Sequence, residues 1–357
     1  MQLFRKPSGA GGQVHRHRDF RNIALMLVAL SSLHFGHVVQ AQTVAADDPD
    51  APSRKSVENF SKIPLAASQL YPDKPEMIQK DEEKDFTREF IRVQWRPHDH
   101  IYLYVIRPAK VEKPLAAIYL YGHPSDIERY QDNAWCRRTT SGGYAAIGFV
   151  PALTGQRYHD RPMKQWFVSE LPEALGASAH DVQMVLNYLA DRGDFDMTRV
   201  GVFGVGAGGT IAVMAASVDS RITAIDLLNP WGDWPDWTAH SGIIPEEERA
   251  AYRKPKFLES VAAFDPVNLL PGLKRVHIRL NQLTDDEATP QESQKKIAAA
   301  LPASAERYVY TGDMDFYSSA ASGGRVFDWL KGQLKPADTR VKEALKQAPA
   351  TPEARSR

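Results

Sequence analysis

The segment Arg199-Val-Gly-Val-Phe-Gly204-Val205-Gly206-Ala207-Gly208-Gly209-Thr210, followed by the alanine-rich run to Ala216, constrains this chain more than any other. A short β-branched and aromatic run enters a glycine cluster and leaves it as a helix. A strand that bends at once into a helix brings backbone against backbone, so the bend needs residues without side chains. Two patterns fit. Gly204 and Gly208 frame a Gly-x-Ser-x-Gly turn whose central position is Gly206, a residue with no nucleophile. Gly204, Gly206 and Gly209 also satisfy Gly-x-Gly-x-x-Gly, with Asp226 ending the next strand at the spacing of a ribose-binding acid. After Asp226 the chain runs into a Trp-rich and then acidic stretch, with no strand before Val276, and this weighs against the dinucleotide pattern. The third alternative is a tight turn without chemistry.

Around this turn, short apolar runs alternate with helical patterns. Strands are expected at Phe86–Trp95, Ile101–Ile106, Leu115–Tyr121, Ala145–Val150, Val200–Phe203, Ile222–Leu228, Val276–Leu280 and Arg307–Tyr310. Helices are expected at Ser178–Leu189, Ala207–Ala216, Pro290–Leu301 and Gly324–Leu334. This alternation predicts an α/β fold with a mainly parallel eight-stranded sheet and helices on both faces. The first two strands form a hairpin that adds one antiparallel strand. In such sheets ligands bind beyond the carboxyl ends of the strands, which puts the weight on the loops that follow them.

The ends read differently. Arg5, Lys6, Arg16, Arg18 and Arg21 stand against Asp19, and then come the apolar run Ile23–Leu30 and the small residues before Gln42. This is the pattern of a signal peptide over residues 1–41 and of an exported protein, periplasmic or extracellular. The alternative is an uncleaved N-terminal anchor. Residues 42–80 read as a linker or arm, 81–334 as one domain, and 335–357 as a charged tail. The whole chain balances 44 bases against 44 acids. Removing the five bases and one acid of the leader leaves 39 against 43, a net of −4. That balance gives no support to a nucleic-acid partner. The single cysteine, Cys136, excludes an intrachain disulfide framework and a Cys-rich metal centre, and reads as a core thiol. No cofactor and no metal are implied, and no integral membrane domain follows the signal.

Four loops in this order resemble the α/β-hydrolase superfamily, in its prolyl-oligopeptidase-like and dienelactone-hydrolase-like branches, over about residues 86–334. Tyr121-Gly122-His123-Pro124 is similar to the oxyanion loop, and Arg199–Gly209 to the nucleophile elbow. Asp286-Glu-Ala-Thr-Pro290 is similar to the acid loop, and Gly312-Asp-Met-Asp-Phe316 to the histidine loop. The resemblance implies a serine esterase or peptidase ancestry. It carries the nucleophile position onto Gly206, the acid onto Asp286, and the histidine onto Met314, or onto Asp313 if the loop is shifted by one. Of the seven His after residue 41, none lies beyond His277, so the order nucleophile, acid, histidine is missing. The expectation is a degenerate triad on a scaffold that keeps a small-molecule or peptide ligand, or an interaction role.

The resemblance puts oxyanion and pocket residues at Gly122, His123, Val205 and Ala207. Arg157 and Trp231 border the same loops. His123 and His159 are candidate substitutes in a hydrolase with relocated groups, and Ser125 lies on the oxyanion loop. His98 and His100 read as a hairpin turn rather than a metal pair. Residues 229–263, with Trp231, Trp234 and Trp237, fall where a small lid is inserted. Their aromatics either line a pocket or pack the insertion onto the body.

Overall fold

A computed structural model of the chain describes residues 58–70, 72–96, 99–121, 128–152, 167–322 and 326–335. The expected export signal, residues 122–127 and 153–166, and the tail from 336 on lie outside them.

Nine strands among the described residues share one sheet. They are β1 (Glu76–Glu82), β2 (Phe86–Arg96), β3 (Asp99–Pro108), β4 (Leu115–Leu120), β5 (Ala145–Phe149), β6 (Asp196–Val205), β7 (Ile222–Leu228), β8 (His277–Leu283) and β9 (Glu306–Tyr310). Their spatial order is β1-β2-β3-β5-β4-β6-β7-β8-β9. The pairs from β1 to β5 through β3 are antiparallel, and every pair from β5 to β9 is parallel. The eight expected strands are all present, and β1 is an addition that straddles the end of the stretch read as an arm. It escaped the sequence pattern because it is an edge strand exposed along nearly its whole length. Without a buried face there is no alternation to read.

Eleven α-helices among the described residues accompany the sheet: α1 (Glu128–Gln131), α2 (Asn133–Thr140), α3 (Leu171–Arg192), α4 (Ala207–Val218), α5 (Trp234–His240), α6 (Glu246–Tyr252), α7 (Pro255–Val261), α8 (Pro266–Leu269), α9 (Gln291–Ala299), α10 (Asp313–Phe316) and α11 (Val326–Leu334). Period-2 side-chain alternation sorts the core into two layers. On β4, Ala116, Ile118 and Leu120 face the layer that holds α3 and α4. Ala117 and Tyr119 face the layer that holds α2 and α11. The second layer is aromatic, with Tyr119, Trp135, Phe203 and Phe327 in edge-on or tilted contacts. Helix α3 is longer than its apolar pattern indicates, and stops where Gly193 takes φ 70° as a left-handed cap. Between β7 and β8 the chain makes a helical excursion through α5 to α8, of which α5 to α7 fall in the region 229–263 read as a lid. Among the described residues no helix is long and apolar enough to cross a membrane.

Candidate functional site

The turn from β6 to α4 lies at the carboxyl edge of the parallel strands. Gly206 takes φ 55° and ψ −122°, a backbone that L side chains adopt only under strain. Its N–H donates to Leu228 O at 2.9 Å, and its carbonyl accepts from Gly209 N at 3.0 Å. The flanking glycines serve close approach. A Cβ on Gly204 would lie 2.5 Å from Gly208 O, and one on Gly208 would collide with Leu120 O of β4. Packing alone therefore accounts for both framing glycines. Ala207, buried, opens α4, and its N–H has no intrahelical acceptor by position.

At Gly206 the neighbour is Trp231. A Cβ built there would lie 3.1 Å from the indole Nε1. Trp231 is itself buried, with its ring 5.0 Å from that of Trp237, which meets Trp234 edge-on at 5.5 Å. Thr210 Oγ1 of α4 donates to Trp231 O at 2.6 Å and ties the segment to the turn. The three tryptophans thus pack the insertion onto the body, and a lid with its aromatics open to a pocket is not what they form.

Asp286 follows β8. Its carboxylate accepts from Ala288 N at 3.2 Å. Burial pushes its pKa above the ordinary carboxylate value, against hydrogen bonds from Thr289, Ala288 and Asn229. Asn229, at φ 42°, braces this loop to the end of β7: its Oδ1 accepts from Leu283 N at 2.9 Å, and its O accepts from Thr289 Oγ1 at 3.2 Å. Asp286 and Gly206 are therefore both braced against the stretch 228–231. The loop after β9 runs beside the acid loop, with Thr284 Oγ1 donating to Thr311 O at 3.0 Å and Gly312 pressed against the Asp285 carboxylate. Met314, however, is 80% exposed and points away from the body. The inward groups of its loop are Phe316, in the aromatic layer, and the half-buried Tyr317. Burial, and then the charge of Asp313, push the Tyr317 phenol up. Arg129 stacks its guanidinium 3.5 Å from the ring centre of Tyr121 at the end of β4.

No family model and no curated protein matches the chain. Solved structures do. An acetyl xylan esterase from Paenibacillus sp. R4 superposes with a TM-score of 0.56 at 16% identity, over 76% of this chain and 91% of that one. Acetyl xylan esterase 1 from Thermoanaerobacterium sp. JW/SL YS485 gives 0.53 at 15%, over 71% and 88%. The acylaminoacyl peptidase of Pyrococcus horikoshii gives 0.52 at 12%, over 74% and 50%.

The chain has the α/β-hydrolase fold.

Within this fold the other sequence candidates that lie among the described residues take definite places. Asp226 sits inside β7, fully buried and opposite Arg279 of β8. Arg279 grips both its oxygens, at 2.9 and 2.6 Å, and Asn281 Nδ2 adds a third bond at 2.9 Å. The carboxylate is committed within the sheet and does not face a crevice where a ribose would lie. This corrects the role given to it with Gly204, Gly206 and Gly209: a bidentate partner on the next strand could not be read from spacing. Cys136 is buried, with Sγ donating to Tyr130 O at 3.3 Å, and burial pushes its thiol up to about 11. His100 pairs across the hairpin with Gln94. Val205 ends β6, half-buried beside the aromatic layer. His98, Gly122, His123, Ser125, Arg157 and His159 lie outside the described residues. Among those described, no group of three His, Cys, Asp or Glu is placed to hold a metal ion. Asn229 and Arg129 are not among the candidates that the motifs single out. The Asn-Pro pair at the end of a strand was the available signal for Asn229, since asparagine tolerates positive φ. Nothing in the pattern marked Arg129.

Proposed function

We propose that this chain is an exported α/β-hydrolase-fold protein that works without the serine-hydrolase mechanism and keeps a ligand-binding or interaction role. The observation that carries this is position 206: a glycine in the strained conformation of a nucleophile turn, with an indole nitrogen 3.1 Å from where a Cβ would stand. Acyl transfer needs a nucleophile with a base in hydrogen-bond reach. Here the nucleophile position has no side chain, and the histidine position is a solvent-facing methionine. In a well-studied serine protease, loss of nucleophile or base costs about 10⁶ in rate. The features that outlast such a loss are the helix-opening N–H of Ala207 and the loops at the carboxyl edge, which suit a small molecule or a peptide.

The test uses the purified chain with a fluorophosphonate probe and a panel of short acyl esters. Neither labelling nor turnover is expected, and Gly206→Ser alone should not restore either one. Labelling of the unaltered chain would overturn the proposal. An alternative is a hydrolase with relocated groups, favoured by the esterase and peptidase names of the similar structures. It requires ester turnover that His123→Ala or His159→Ala abolishes.

A further inference from the structure

The densest set of ionisable groups in the described residues lies away from the turn, where the N-terminal segment meets α3. Arg96, at the end of β2, faces three carboxylates. It binds Glu58 through Nε and through Nη2, the latter at 2.7 Å. It also binds Asp181 of α3, and Asp99 at 3.4 Å. His180 places Nδ1 2.6 Å from the Glu58 carboxylate and Nε2 2.8 Å from Lys62 O. The side chains of Glu58, Arg96, Asp181 and His180 are all buried.

The same face of α3 holds the backbone of the segment that follows Glu58. Gly176 is pressed against Phe60 O so closely that no Cβ would fit. One turn on is His180, and one further turn on Gln183 accepts from Leu65 N at 2.9 Å and donates to Ile63 O at 2.8 Å. Positions 176, 180 and 183 are one stripe of the helix. A strap, residues 58–68, turning at Phe60–Ser61 and coiling into a 3-10 turn at Leu65–Ala67, lies along it with Ile63 inserted into the core. Ser61–Pro64 and Pro72–Pro75 each form one wall of a cleft, of 430 and 410 Å³ respectively, whose other walls come from the body.

We infer that residues 58–68 are a releasable strap, anchored by the Glu58 carboxylate in a seat made by Arg96 and His180, and that its opening bares the stripe on α3 and removes the Ser61–Pro64 wall of the cleft beside it. Charge balance is the reason it releases as a unit. With Glu58 seated, three carboxylates share one guanidinium and one imidazole. When Glu58 leaves, Arg96 keeps Asp181, which is also held by Trp95 Nε1 at 2.8 Å. Departure therefore leaves a paired charge in the body, whereas loss of Arg96 would leave several unpaired carboxylates. The other anchors of the strap are two hydrogen bonds with the Gln183 amide, one with the His180 imidazole, the buried Ile63 and the partly buried Leu65. That is a small holding force compared with the core of a domain, and segments held in this way open below the global unfolding free energy.

The experiment is native-state hydrogen exchange on the full chain at low denaturant, with tryptic cutting after Lys62 mapped by mass spectrometry. In the unaltered protein the amides of Leu65 and Ser68 should exchange through an opening with weak denaturant dependence, well before the amides of β6. Glu58→Gln keeps the shape and removes the charge. It should speed exchange of these strap amides, and cutting at Lys62, by about tenfold or more, with the β6 amides unchanged. Gln183→Leu leaves the ion set intact and should also speed cutting at Lys62. Coincident exchange of strap and β6 amides in the unaltered protein would overturn the inference. So would a rate of cutting at Lys62 that neither variant changes.

Discussion

The turn at Gly206 and the seat of Glu58 are opposites. At the turn, where sequence pattern pointed to chemistry, the structure holds glycine backbone, a buried indole and apolar packing. At the seat, where the stretch that read as an arm meets the body, Arg96 and Glu58 link five ionisable side chains, the others being Asp99, His180 and Asp181. The turn is kept by steric demand, because Gly204 and Gly208 permit backbone contact. The seat is kept by charge complementarity in a place with little water.

The contrast can be broken most sharply at Arg96. Arg96→Met leaves Glu58, Asp99 and Asp181 without their guanidinium and should cost about 3–5 kcal/mol in denaturant unfolding. A loss below about 1 kcal/mol would mean that solvent reaches the seat. Trp231→Ala attacks the other region by removing a large buried ring, and should cost about 3–5 kcal/mol. It should also open space beside Gly206 without creating ester hydrolysis; activity gained by this change would mean the indole blocks a competent site. Gly208→Ala forces a Cβ into Leu120 O and should cost about 1–3 kcal/mol. A neutral result would show that the turn can shift, and that its glycines are not demanded by packing.

Smaller effects are read from pH. Burial raises the Asp286 pKa, so the folded state holds its proton to higher pH than the unfolded chain does. Its contribution is fully present below the unfolded value and is lost as pH rises through the folded one. Asp286→Asn should flatten that part of the stability–pH curve. Lys331 has the opposite sign. Burial lowers it from 10.5 to about 8, although its Nζ bonds Arg138 O at 2.5 Å and Ser141 Oγ at 2.7 Å. The folded state binds fewer protons between those values, so stability should rise as pH goes from 8 to 10.5. Lys331→Met should remove that rise, and an unchanged slope would place the amine in water.

Much of the fold was legible because its strands are buried on two faces or one. Leu115–Tyr121 and Ile222–Leu228 announce themselves as apolar runs, and the glycine cluster announces the bend after β6. The edge strand β1 was silent for the reciprocal reason, having no buried face. At the candidate site, the positions Gly206, Asp286 and Met314 could be named from motif order. The closure of Gly206 by Trp231, the commitment of Asp226 to Arg279 and the outward turn of Met314 could not. Each depends on a partner 25 to more than 50 residues away in the chain, or on a loop's orientation.

By itself the sequence determined the alternating α/β architecture, the strand-to-helix bend and the want of a histidine after residue 277. These are properties of local periodicity, of backbone sterics and of composition. Tertiary structure alone decided which carboxylates are paired, which tryptophans are buried and which segment is strapped to α3. Those outcomes are set by which distant side chains meet in a low-dielectric interior, where an ion or an indole is stable only with its partner in place.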